Sequence, residues 1–194
     1  MPSRSLGRWT GEAAVALDRM EHAHRAVGGS SPGRRYATQQ INQSYLVMLS
    51  SHFQQFCRDL HSEAVDHLLR GMDPALLPIV LSSLTSDRKL DRGNPTPGNL
   101  GSDFGRLGMA FWPDVNALHR QNAARVRRLE LMGYWRNAIA HQDFAGNARH
   151  LAGRAEITLA DVRQFRSTCE ALALGFDRVV LAHIKTVAGR ASGW

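Results

Sequence analysis

Apolar residues recur at intervals of three and four along most of this chain, and no stretch shows the period-two alternation of a half-buried strand. The longest pattern runs from about Tyr36 to Leu69, where Ile41, Tyr45, Met48, Leu49, Phe53, Phe56, Leu60, Ala64 and Leu68 form one stripe and predict a central core helix. Before it, Ala14, Leu17 and Met20 predict an amphipathic helix from Gly11 to Ala26, closed by Gly28-Gly29 and followed by the turn-rich Ser30 to Gly33. Asp73 ahead of Pro74 reads as an N-cap with proline at the first helical position, so a short helix is expected through Leu84. Asp91 to Gly98 is turn chemistry without an apolar period and predicts a surface loop, with a short helix from Ser102 to Leu107 after it. Pro113 opens a helical region through Val115, Leu118, Ala123 and Val126 that continues, with or without a break, into Leu129 to Gln142. Phe144 to Arg154 is expected to be a loop. Thr158 and Asp161 then form a capping-box pattern, with Ile157 placed to staple onto the first turn of a last helix. That helix carries Val162, Phe165, Cys169, Leu172, Phe176, Val179 and Val180 inward and fades after Val187. The expected architecture is an all-α, single-domain bundle of four to five main helices plus short ones: an N-terminal helix and loop (1–35), a main helical domain (36–188) and a tail (189–194).

Composition narrows the class. A chain of 194 residues can bury about 70% of its unfolded surface, so no metal or disulfide staple is required. Cys57 and Cys169 fall inside helical patterns and read as core-facing reduced thiols, which suits a cytoplasmic protein. The apolar run Ala75 to Leu81 is too short to span a bilayer and contains Pro78, while Glu12 and Asp18 bracket the only apolar block near the N-terminus. No membrane partner and no signal peptide are therefore expected. The net charge of +7 is almost all arginine, since lysine occurs only at Lys89 and Lys185. Arginine binds phosphate bidentately and stacks on bases, which suits a nucleic-acid partner; the base composition of the source genome can produce the same bias.

Candidate chemistry concentrates in Arg136-Asn137-Ala138-Ile139-Ala140-His141. At about 100° per residue, Leu131, Met132, Trp135, Ala138 and Ile139 face the core with the stem of Arg128 at their edge, while Arg136, Asn137 and His141 turn away from it. Gly133 and Ala140 lie between Arg136 and His141 and form a small-residue valley that a second protein chain or an RNA strand can approach. Histidine exchanges protons near neutral pH, and arginine matches the oxygens of a phosphate whose charge grows in the transition state. Asn137, one turn before His141, can orient the imidazole or bind a phosphate oxygen. One histidine does not reach both the attacking and the leaving oxygen of an in-line displacement, so the chemistry calls for a symmetric dimer with two copies of this face.

This stretch resembles the R-x4-6-H motif of HEPN domains, in the form with asparagine after the arginine. The segment Leu49 to Leu60, the Gly93-Asn94-Pro95-Thr96-Pro97 loop and the closing helix after Thr158 are similar to the RiboL-PSP-type branch, so the resemblance covers roughly Tyr36 to Val187. It implies an α-helical bundle that homodimerises through the motif face and, in active members, a metal-independent endoribonuclease without cofactor, often in toxin/antitoxin or phage-defence settings with an antitoxin or other defence protein as partner. By position, Arg136 and His141 would be catalytic and Asn137 supporting. Some members are instead non-catalytic modules for dimerisation, RNA binding or partner binding. Asp143 stands where nucleotidyltransferase-paired toxins carry a tyrosine, and Gln54 and Gln55 stand where relatives tend to have an acidic residue.

Secondary candidates are Arg120, Arg125, Arg127 and Arg128, which precede the motif and can guide a phosphate backbone toward it or simply form a solvated face. Cys57 and His61 have the spacing of a half metal site but lack a second pair. His22 and His24 point in different directions and read as solvated, and His52 reads as a histidine at the edge of the core.

Overall fold

The computed structural model describes residues 1–27 and 35–189, which are helical with no strand among them. The Gly28-Gly29 stop and the Ser30 to Gly33 turn lie outside the described residues. Helices α1 (Arg4–Arg8) and α2 (Ala14–Val27) are joined by one π-helical stretch, Trp9–Ala13; then come α3 (Arg35–Leu68), α4 (Leu77–Thr85), α5 (Lys89–Arg92), α6 (Pro97–Gly105), α7 (Phe111–Leu118), α8 (Asn122–His141) and α9 (Leu159–Ala188). The all-α expectation holds. α3 is the central helix and packs on α9, α8, α2 and α1. Its expected stripe is buried at Tyr45, Leu49, Phe53, Phe56, Leu60 and Ala64 and half-buried at Ile41, Met48 and Leu68.

An aromatic chain ties the short helices to this centre. Phe53 meets Phe176 of α9, which meets Phe111 of α7 with centroids 4.9 Å apart, and Phe111 stacks on Phe104 of α6 at 4.4 Å. Cys57 and Cys169 are buried, as expected, with Cys169 Sγ 3.8 Å from Met132 Sδ. Burial pushes both thiols above their ordinary pKa, so they stay neutral.

Boundaries shift where tertiary contacts decide them. The first helix begins at Arg4, seven residues before the expected start, because Ser3 Oγ accepts from the Leu6 amide as an N-cap and Leu6, Trp9, Ala13 and Leu17 all enter the common core. The Asp73 carboxylate accepts from the Ala75 amide and its carbonyl from Leu76 and Leu77, so Asp73 makes a turn and α4 starts only at Leu77. α4 buries none of its residues. α6 begins at Pro97, not Ser102, because Thr96 caps it through the Asn99 amide and Pro97 occupies its first turn. A real break separates α7 from α8: His119 is extended, and the Asn122 amide side chain donates to the Val115 carbonyl at 2.6 Å. At the start of α9 the capping box of Thr158 and Asp161 forms in both directions, with Ile157 buried beside it.

Two carboxylates from distant helices fix the N-terminus. Asp177 accepts from the Ser3 amide, and Glu63 accepts from the amides of Arg4 and Ser5 and from Ser5 Oγ at 2.8–3.1 Å. Burial alone would raise the Glu63 pKa, but these hydrogen bonds and Arg4 outweigh it and hold the carboxyl below 4.5. A depressed folded-state pKa stabilises above the unfolded value and loses that contribution as pH falls through the folded one. Glu63→Gln is therefore expected to cost about 1–2 kcal/mol in urea unfolding at pH 7, with the difference from wild type shrinking as the pH is taken below about 4.5.

Candidate functional site

The motif occupies the last turns of α8, and the way this helix ends decides what His141 can do. Gln142 adopts the left-handed conformation at φ 52°, the Asp143 amide reaches back to the Ala138 carbonyl at 3.0 Å and the Gln142 amide to Ile139. This is a Schellman-type stop. A left-handed position is costly for a residue with a Cβ, and the Gln142 side chain partly offsets that cost by donating to the Ile139 carbonyl at 2.8 Å. His141 is thereby the last helical residue, exposed, with no hydrogen-bond partner among the described residues.

The other two motif residues are held from outside the helix. Asn94 Nδ2 donates to Asn137 Oδ1 at 2.6 Å, and Arg136 Nη1 donates to the same oxygen at 3.4 Å. Asn137 thus orients Arg136 and does not hydrogen-bond to His141, although one helical turn separates them. Its oxygen is already engaged; its Nδ2 has no partner among the described residues.

Asn94 itself is set by a buried network. The Asp103 carboxylate, 1% exposed, accepts from the amides of Lys89 and Leu90 at 2.9 and 2.8 Å and so holds α5 against α6. The Asp103 carbonyl is 3.0 Å from His61 Nε2, and Arg88 approaches His61 Nδ1 at 3.4 Å and donates to Ser62 Oγ at 2.8 Å. Burial, reinforced by Arg88, lowers the His61 pKa to about 4, so the ring is neutral at pH 7, donating from Nε2 and accepting at Nδ1. Gln54 adds a bond to the Leu90 carbonyl. Beyond α5, the Asn94 carbonyl accepts from the Thr96 amide at 2.7 Å and from Asn99 Nδ2 at 2.8 Å, leaving its side chain facing α8. The expected eight-residue surface loop is therefore only Gly93 to Thr96, tightly bonded and laid on the motif.

That loop corrects the reading of Gly133. The residue is buried, and a methyl built on it would lie 3.5 Å from Thr96 Cγ2, so the chain's own Thr96 fills the half of the valley assigned to a partner. Ala140 is exposed and remains open.

On the far side of the motif, the turn after α8 brings His150 onto Tyr134. Their rings stack with centroids 3.8 Å apart and planes 7° from parallel. The turn is organised by Asp143, whose carboxylate accepts from Gly146 and whose carbonyl accepts from Asn147, and is anchored by buried Leu151. Arg154 lies over the Trp135 ring at 5.6 Å while paired with Asp161. Tyr134 and His150 carried no sequence signal, because a contact across sixteen residues through an irregular turn has no period.

Positive charge is concentrated around α8. Residues 119–142 hold five arginines against Glu130, a net +4 of the chain's +7. Elsewhere, eight arginines are ion-paired (Arg4, Arg8, Arg25, Arg88, Arg92, Arg154, Arg163 and Arg166), and six scattered ones, Arg19, Arg58, Arg70, Arg106, Arg149 and Arg178, have no carboxylate within 4 Å among the described residues. Arg120, Arg125, Arg127, Arg128 and Arg136 have no carboxylate within 4 Å among the described residues. Arg120 sits in the break before α8, Arg125 bonds Asn122 and Gln121, Arg128 reaches Thr168 at 3.4 Å and Arg127 is exposed.

The remaining candidates are elsewhere. His61 is committed to the α5–α6 network, and no group of three or more His, Cys, Asp or Glu side chains is arranged to hold a metal among the described residues. His52 lines a cavity of about 110 Å³ with Arg8, Glu12 and Asp59, away from the motif. Comparison with protein-family models, curated proteins and solved structures found no match.

Because Asp103 positions Asn94, Asp103→Asn is expected to destabilise the protein by about 2–3 kcal/mol. It should also speed amide hydrogen exchange at Asn94 and Thr96 and shift the Asn137 side-chain NMR signals, while those of α9 residues stay in place.

Proposed function

We propose that the protein is a HEPN-type, metal-independent endoribonuclease acting as a homodimer. The observation that carries this reading is the combination at the end of α8: an exposed imidazole and an arginine oriented through Asn137 and Asn94, in a segment where neither the imidazole nor the arginines have an ionic partner among the described residues. An imidazole committed to an internal bond is a poor proton shuttle, and a guanidinium closed by a carboxylate is a poor phosphate ligand. Neither condition holds here.

In the proposed reaction His141 takes the proton of a ribose 2′-hydroxyl, whose oxygen attacks phosphorus. The bond to the 5′-oxygen breaks as that oxygen accepts a proton from His141 of a second copy. Arg136 binds the non-bridging oxygens as their charge grows. A 2′,3′-cyclic phosphate and a 5′-hydroxyl result. His150 is engaged in the stack on Tyr134, and the reading gives the second proton transfer to His141 of the other copy. With Gly133 covered, the two copies meet at the open Ala140 end of the face. An antitoxin or other defence-system protein that covers His141 would silence it.

A second reading, a non-catalytic module that dimerises or binds RNA or a partner protein, draws on the half-burial of Arg136 and its bond to Asn137. Turnover separates the two. Purified protein is expected to cleave RNA in EDTA and leave cyclic-phosphate ends, and His141→Ala or Arg136→Ala to lower the rate by a factor on the order of 10² or more with the fold and dimer intact. RNA left whole by wild-type protein, or cut equally by the His141 variant, sinks the nuclease reading.

A further inference from the structure

We infer that the stacked Tyr134–His150 pair is a nucleobase subsite, which makes the substrate at this site single-stranded RNA. The inference rests on the nuclease reading and specifies its substrate class.

Three observations converge. The rings are nearly parallel at 3.8 Å, so Tyr134 backs one face of the His150 imidazole on an exposed residue, and the subsite we infer uses the other face. The turn that presents His150 is built before any ligand arrives: Asp143 closes it at Gly146 and Asn147, the His150 amide bonds the Asn147 carbonyl at 3.0 Å, and Leu151 is buried beneath. A ring already held in place loses little entropy when a base stacks on it.

The third observation is alignment. Arg127, Tyr134 and His141 are spaced seven residues apart on α8 and fall within about 40° of one line along the helix, each roughly 10 Å from the next. Arg127 is exposed and has no carboxylate within 4 Å among the described residues. A strand lying along this line puts a phosphate at Arg127, a base on the His150 face and the scissile phosphate at His141. Only an unpaired base can be splayed onto such a platform; in a duplex its faces are already covered. A purely structural role for the stack would not call for an exposed outer ring, since Leu151 and partly buried Phe144 already anchor the turn in the core.

The test is fluorescence anisotropy with a labelled 12-nucleotide RNA, 2′-O-methylated throughout so that it cannot be cleaved. It is offered as a single strand, annealed to its complement, and as an abasic oligomer of the same length. Wild-type protein is expected to bind the single strand about 10-fold more tightly than the duplex or the abasic oligomer. His150→Ala is expected to weaken single-strand binding by a factor on the order of 10 and to leave abasic binding unchanged, while His150→Phe retains wild-type affinity. Equal weakening of both oligomers by His150→Ala would show the stack to be a structural peg and overturn the subsite. Unchanged single-strand affinity in that variant, while wild-type protein still cleaves unmodified RNA, overturns the subsite alone; wild-type protein that neither binds nor cleaves RNA overturns the nuclease reading with it.

Discussion

A buried carboxylate, that of Asp103, governs the arrangement around α8. Removing a charge from water is tolerable only where hydrogen bonds replace the lost solvent, and the amides of Lys89 and Leu90 provide them. In doing so Asp103 fixes the turn of α5, and the four residues after that turn have one place to go. Asn94 reaches Asn137, Thr96 covers Gly133 and Pro97 opens the next helix. Neutral His61 sits on the Asp103 carbonyl and links this network to the central helix, so the position of Arg136 is traceable to the core through named bonds.

The same economy separates arginines that build the fold from arginines that do not. Arg166 bridges Asp18, Glu170 and Tyr45, and Arg163 holds Glu21, tying α9 to α2 through carboxylates. Along α8 such partners are missing among the described residues, and the helix carries its positive charge between two loops. Unpaired arginine beside an exposed imidazole and a stacked ring pair is the arrangement on which the RNA reading is built.

Much of this was legible in the sequence and some was not, for identifiable reasons. The period of three and four located α3 and α9, and the Thr158 and Asp161 pair marked the start of α9, because burial and capping are local in sequence. The N-terminal helix extends further than its apolar period shows, because Gly7 and Gly11 depress helix propensity and the carboxylates that hold this end come from Glu63 and Asp177, far along the chain. Thr96-Pro97 was a readable helix start hidden among turn residues. At the motif, a helical wheel correctly turned His141 outward but misjudged Gly133, because a wheel knows the face its own helix gives the core and not which loop covers the opposite side. The Asn94–Asn137 and Tyr134–His150 contacts join segments with no common period, and only the fold brings them together.

The proposed function puts the 93–96 turn, the end of α8 and the 142–150 turn on one RNA-binding surface. Amide hydrogen exchange of the intact protein, with and without a saturating uncleavable single-stranded RNA, measures this most directly. Exchange is expected to slow at residues 93–96 and 142–150 and to stay the same in α2 and α4. Protection absent from both turns, or found on α4 instead, would contradict the account.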